Sequence, residues 1–282
     1  MVVKVMSTYI RGSNQYAKKL KPRKESGLVL PGVFTASVDE IIDISVPKPS
    51  LAPKIRSKQG AMYRFEQVHH LVVLDMAVNE GLPVTLPEVQ TLLDDVTPEG
   101  MKVEEAAEVK AIGKANQQML IALKNNEPFD LRLAKKINYH LTAEVIDRGL
   151  VRGTGVTHGG GHVSLAMGAK YSAPDGNEND LEDAYKKILE RAKQEPNPLE
   201  GAAYTFCALT LLQAFGDGNK RTSRLMASGL LLNEGIDAIY IPASVRGRYQ
   251  EGLNRLFRNL DTSVIAELLY DSVCSGNYLG DC

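Results

Sequence analysis

The stretch Gln213-Ala-Phe-Gly-Asp-Gly-Asn-Lys-Arg-Thr-Ser-Arg224 decides how this chain is read. It separates two apolar segments. Gly201–Leu212 is apolar nearly all round, as expected of a helix buried on every side, and Asn219–Asn233 reads as a second apolar helix. Asp217-Gly-Asn219 therefore leads straight into a helix whose first turns hold Lys220, Arg221 and Arg224. A helix N-terminus already carries partial positive charge, so three cations there are unfavourable unless a multiply charged anion joins them. Gly216 and Gly218 would let phosphate oxygens approach exposed backbone N–H groups. Arg221 and Arg224, three apart, lie on neighbouring parts of one face, and the planar arginine fork suits phosphate. Asp217 is then a natural ligand for a Mg²⁺ riding on those phosphates. The plain alternative is a capped helix with solvated basic residues. A Walker loop is excluded, because the GxxxxGK(S/T) spacing and a surrounding βαβ unit are both missing.

Working outward, the pattern predicts a mainly α bundle with one β-hairpin flap. Phe65–Met76 is apolar at helical spacing and runs to Glu80-Gly81, where the glycine suits a helix C-terminus. Thr85-Leu-Pro-Glu88 is a capping-box pattern. Two longer helices are expected over Lys102–Asn125 and Asp130–Asp147. Gly149–Asn179 is glycine-rich with one alternating patch, Val163-Ser-Leu-Ala-Met167, which suits a hairpin or flap. A polar helix follows from Asp180 to Gln194, and Asn197-Pro-Leu-Glu200 opens the buried central helix. Helices near Ser244–Arg258 and Thr262–Val273 close the chain. The expected organisation is an irregular N-terminal arm or small lobe (1–60), a helical region (61–100), a core (101–276) and a short tail (277–282).

The 282 residues carry a net charge of −1, which gives no support to a nucleic-acid groove or an acidic-membrane surface over the whole molecule. Any polyanion has to be held by a local cluster. The three cysteines, Cys207, Cys274 and Cys282, form neither a metal spacing nor a disulfide framework. No secretory signal or apolar run of membrane-spanning length is evident, so a cytoplasmic protein is expected.

The stretch from Gln213 to Arg224 resembles the Fic-family motif HxFx(D/E)GNGRxxR, in the family's loop-then-helix placement. The resemblance covers about Tyr63 to Val273. It includes a second motif: Met76-Ala-Val-Asn-Glu-Gly81 is similar to the inhibitory (S/T)xxxE(G/N) helix of Fic proteins that carry it N-terminally. The resemblance implies a Fic-type helical bundle that transfers AMP from ATP to a hydroxyl side chain of a target protein. It implies that Phe215, Gly216, Asp217, Gly218, Asn219, Lys220, Arg221 and Arg224 form the ATP site, with Asp217 holding Mg²⁺ and Gly218 and Asn219 lining an anion hole. It implies that Arg221 and Arg224 grip the phosphates, and that Glu80 pairs with Arg224 and holds ATP unproductively. A target segment would dock on the flap around Val163–Met167, and a homo-oligomer is compatible with all of this.

Three residues depart from the family pattern. Gln213 stands where the family's histidine deprotonates the attacking hydroxyl, and a carboxamide has no basic site near neutrality. Loss of a positioned general base costs about 10²–10⁴-fold. Lys220 replaces the motif's second glycine; the phosphorylating Doc branch also has lysine there, but that branch does not usually keep the second arginine. Met76 replaces the Ser/Thr of the inhibitory helix, which removes one hydrogen bond. The implied protein binds nucleotide and is impaired in AMP transfer. Alternatives are an active enzyme using a flap histidine or transferring phosphate, and a non-enzymatic module that captures an extended segment.

Among other candidates, His158-Gly-Gly-Gly-His162 offers two histidines but no third ligand for zinc. It could supply a substitute base to the site or be a solvated loop. His69, His70 and His140 read as surface or boundary residues. Tyr249–Arg255 falls where Fic proteins often contact adenine, although core packing accounts for Tyr249 equally well.

Overall fold

Helix α7 (Pro198–Leu212) is the axis of the molecule, and every residue from Gly201 to Leu212 is buried. A helix apolar on all sides can be satisfied only by neighbours on all sides, and the rest of the chain supplies them. The computed structural model describes residues 32–142, 147–153 and 161–274. In it, α8 (Asn219–Asn233), α6 (Glu178–Gln194) and α10 (Ser263–Cys274) pack directly on α7. Behind α8 lie α5 (Leu131–Leu141) and α4 (Val103–Lys124), and α4 is crossed in turn by α2 (Lys58–Glu80) and α3 (Leu86–Leu93). Helix α9 (Arg246–Asn259) pairs with α10. A Cβ on Gly229 would fall 1.8 Å from the Phe129 ring, so a glycine lets the start of α5 seat against α8. One continuous apolar cluster runs from Ala36 to Val273.

Local signals account for most helix ends. Asn197 caps α7 through Leu199 N (3.0 Å), with proline at the first helical position. Asp130 caps α5 through Arg132 N and Leu133 N. Gly81 ends α2 in the left-handed conformation at φ 99°. Helix α2 begins at Lys58, earlier than the apolar periodicity implied, because Ser57 accepts from Gly60 N (3.0 Å) and caps it. Helix α5 stops at Leu141 rather than Asp147; residues 143–146 lie outside the described residues.

The flap is more than a hairpin. Strands β2 (His162–Ser164) and β3 (Lys170–Ser172) pair antiparallel, joined by a tight turn at Ala166–Gly168. Of the expected patch Val163–Met167, only Val163 and Ser164 are strand. A third strand, β1 (Val33–Thr35), pairs parallel to β3 on its other side, giving the order β1-β3-β2. Tyr171 anchors the sheet: it is fully buried, donates its hydroxyl to the Leu211 carbonyl (2.8 Å) and packs its ring 4.9 Å from Phe257. The described part of the N-terminal arm is thus built into the fold, continuing as α1 (Val38–Asp43) with Ile41 and Ile44 in the core. No helix among the described residues is long and apolar enough to cross a membrane.

Candidate functional site

Helix α7 ends at Gln213, which adopts the left-handed conformation (φ 48°, ψ 48°) and turns the chain out of the helix. Asn219 then fastens the following loop. Its Oδ1 accepts from Phe215 N (2.9 Å), and its Nδ2 donates to Phe215 O (2.8 Å) and Gln213 Oε1 (3.2 Å). The Gln213 amide donates to Thr210 O (2.7 Å), so both ends of its carboxamide are engaged. Phe215 is buried under the loop, edge-on to Tyr185 at 6.1 Å. Gly218 takes φ 73° at the N-cap of α8, and a Cβ there would press on Thr142 Cγ2 (3.0 Å) and Asn138 Nδ2 (3.1 Å). Only glycine meets both demands without strain.

Two residues that the sequence did not single out hold this loop from behind. Buried Asn138 donates to Asp217 O (2.8 Å) and Thr222 Oγ1 (3.1 Å) and accepts from Gly149 N (3.0 Å). Arg152 donates to Gln213 O (2.5 Å) and Leu212 O (3.3 Å), satisfying carbonyls left open at the end of α7. An asparagine inside an amphipathic helix and an arginine in a glycine-rich loop carry no pattern by which to find them.

The loop, the start of α8, the end of α2 and strand β2 enclose a cleft of about 260 Å³. It is lined by Gln213, Gly216, Asp217, Gly218, Asn219, Lys220 and Arg221, by Glu80, and by His162, Val163 and Ser164. Eight of the residues expected at the site, Glu80 among them, therefore meet at one place. The expected positive cluster is met by carboxylates from elsewhere. Glu80 Oε1 lies 3.2 Å from Lys220 Nζ. Arg221 pairs with Glu108 of α4 (2.8 Å) and more loosely with Asp217 (3.4 Å). Glu108 had no sequence signal, being one of several glutamates on an ordinary helix.

The expected Glu80–Arg224 pair is not formed. Arg224 lies one turn further into α8, is 3% exposed, and directs Nη2 at the Ile239 carbonyl (3.3 Å). Burial lowers its pKa, opposed by the nearby Tyr249, Asp75, Tyr240 and Glu80. Lys220, at the helix end, is the cation that Glu80 reaches. Asp75, one turn before Val78 on α2, is 1% exposed and accepts from Ala243 N (3.2 Å). Burial pushes its pKa up to about 7 against the pull of Arg224, Tyr240 and that backbone bond. Met76 is buried, its sulfur 3.7 Å from Asn116 Nδ2. Phe215, Arg224 and Met76 thus stand behind the cleft rather than in it.

Of the other candidates, Tyr249 is buried 6.4 Å from Phe206 and belongs to the core. His69 and His70 face the α3–α4 side of α2, and burial lowers the pKa of each. His140 sits 5.7 Å from the Tyr139 ring. His158, Cys282 and the tail lie outside the described residues, within which no group of three His, Cys, Asp or Glu could hold a metal.

Comparison with known proteins bears on the fold that carries this site. The profile of the Fic/DOC family matches residues 128–231. Protein adenylyltransferase fic-1 of Caenorhabditis briggsae is 24% identical over 198 residues, covering 67% of this chain and 36% of the relative. Protein adenylyltransferase Fic of Drosophila persimilis is 27% identical over 199 residues, covering 69% and 36%. The chain thus spans little more than a third of the length of these relatives. Among solved structures, a Fic-1 fragment from C. elegans superposes with a TM-score of 0.62 at 19% identity, covering 77% of this chain and 64% of that one. A Fic domain containing signaling protein from Bacteroides thetaiotaomicron gives 0.61 at 19% identity, covering 80% and 88%. At such identities these structures speak for the fold. The chain therefore carries a Fic/DOC-family domain in a Fic-type helical fold, with Gln213 where the motif's histidine would stand.

Proposed function

We propose that this domain binds Mg·ATP with its phosphates at residues 216–221, and that it is an adenylyltransferase-type domain whose AMP transfer is slowed by Gln213. One observation carries the reading: a glycine-flanked helix N-terminus opens into a cleft where Lys220 and Arg221 are matched by carboxylates from α2 and α4. Phosphate oxygens are the natural replacement for those carboxylates, because they also accept from the backbone N–H groups of the first turn. Asp217, 59% exposed and only loosely paired with Arg221, suits the cation that arrives with the nucleotide. No cluster of three metal-binding side chains surrounds it among the described residues. The metal would therefore be held mainly by phosphates and water, as Mg²⁺ commonly is.

Glu80 acts as a brake. The cleft of about 260 Å³ falls below the roughly 300–1,000 Å³ usual for a whole small-molecule ligand. Withdrawing Glu80 both enlarges it and frees Lys220. The outer edge of β2 is unpaired among the described residues, so an extended segment of a target protein can add to it and run past the cleft.

The test is incubation with Mg·ATP labelled on either the α- or the γ-phosphate, with calorimetry on the same samples. Nucleotide binding together with slow incorporation of α-label supports the proposal. Incorporation of γ-label alone would make the domain a phosphoryl transferase, and absence of binding would leave a partner-binding module.

A further inference from the structure

The end of α7 offers no acceptor for a proton. Gln213 donates to Thr210 O and accepts from Asn219, and an amide oxygen is not a base near neutrality. Among the described residues one imidazole lines the same cleft, that of His162, the first residue of β2. His69, His70 and His140 line no part of it.

Two features hold the start of β2 near the end of α7. The Arg152 guanidinium reaches both: it donates to Gln213 O at 2.5 Å, and its Nη1 would touch a Cβ on Gly161, the residue before His162, at 2.8 Å. Gly161, at φ 74°, accepts from Ala173 N (2.6 Å), which starts the hairpin at that point. At its far end the hairpin is tied to α9, where Ala166 N donates to Asn254 Oδ1 (3.1 Å) and Ala166 O accepts from Arg258 (2.7 Å). Strand alternation takes the His162 side chain off the core. Val163 and its partner Tyr171 face the core, so His162 and Ser164 share the opposite, exposed face.

The geometry points to His162 as the general base for the transfer that this site still supports, replacing from the flap the acceptor missing at the end of α7. This assignment rests on the phosphate reading of residues 216–221. In the step, the acceptor hydroxyl oxygen bonds to the α-phosphorus of ATP. The bond from that phosphorus to the oxygen bridging to the β-phosphate breaks, and pyrophosphate leaves with its electron pair. The hydroxyl proton passes to the neutral imidazole nitrogen of His162. A segment added at the free edge of β2 would bring its hydroxyl to the strand that carries the base, so docking and deprotonation are coupled.

The test uses the Glu80→Gly chain, which opens the cleft and removes Glu80 as a competing base. AMP transfer from α-labelled Mg·ATP to the protein itself, and release of free AMP, are measured for this chain and for the same chain with His162→Gln or His162→Ala. Calorimetry with Mg·ATP runs in parallel. The expected result is that His162→Gln lowers both rates at least about tenfold, below the range for a general base. Nucleotide affinity should change by less than about twofold. Added imidazole should restore transfer to His162→Ala and leave the His162 chain unchanged, which a purely structural histidine would not allow. Rates indifferent to His162, or a Glu80→Gly chain that binds Mg·ATP and transfers nothing, overturn the assignment and leave the binding site standing. A chain that binds no Mg·ATP overturns both.

Discussion

Glu80, the last residue of α2, and Lys220, the second residue of α8, close over the mouth of the cleft with 3.2 Å between carboxylate and ammonium. Lysine at that position gives Glu80 an ion-pair partner that the motif's glycine could not provide. Both side chains are partly exposed, at 19% and 28%, so the pair contributes about 1 kcal/mol at most. Loss of the pair in Glu80→Gly should therefore tighten Mg·ATP by up to about fivefold, with a further gain from relieved crowding. Calorimetry checks this, and a weaker affinity in the variant would show that Glu80 is not a brake.

Gln213→His should restore an acceptor at the helix end. Histidine tolerates the left-handed conformation found there, and its ring can replace the bond to Thr210 while its second nitrogen stays open to accept a proton. With Glu80→Gly, AMP transfer should rise at least about tenfold over Glu80→Gly alone. Asp217→Ala added to that double variant should abolish it. Equal rates with and without the histidine would remove Gln213 as the chemical defect.

Gly218→Ala tests the cradle itself. The left-handed φ and the crowding by Thr142 and Asn138 both oppose a Cβ, at a combined cost of about 1–3 kcal/mol. Melting should fall by about 2–8 °C, and nucleotide affinity should fall with it. A variant that melts with the parent would place the loop in a different conformation.

Asp75 should leave a mark on the pH dependence of stability. Burial keeps its proton in the fold up to about pH 7, whereas an exposed aspartate loses it near 3.8. Between those values the unfolded chain binds fewer protons than the folded one, so stability falls as pH rises through that window. Asp75→Asn should flatten the decline between about pH 4 and pH 7, as followed by thermal melts. Superimposable profiles would mean that Asp75 is ionised in the fold.

Much of this architecture was legible because local chemistry dictates it. Asn197-Pro198, Asp130 and Gly81 announce helix ends without tertiary help, and the run from Gly201 to Leu212 is too apolar to lie anywhere but the centre. What was hidden depends on pairing over long sequence distances. Nothing in Val33–Thr35 signals that it will lie parallel to Lys170–Ser172, more than a hundred residues away. The site was legible as a contiguous motif, yet its charge partners were not. Motif matching put Glu80 on Arg224, whereas α8 buries Arg224 and presents Lys220 one turn nearer the cleft. Glu108, Asn138 and Arg152 act through position alone.

The central claim is that residues 216–221 hold nucleotide phosphates, and Arg221 is its most exacting probe. Arg221 lines the cleft, is 8% exposed, and carries its charge between Glu108 and Asp217. Charge-assisted hydrogen bonds to phosphate are worth about 1.5–3 kcal/mol. Titration of the Glu80→Gly chain with Mg·ATP, with and without Arg221→Ala, measures that contribution directly. The account predicts saturable binding that weakens by about 10- to 150-fold in the Arg221→Ala chain. Equal affinity in the two chains, or no binding in the chain that keeps Arg221, would contradict it.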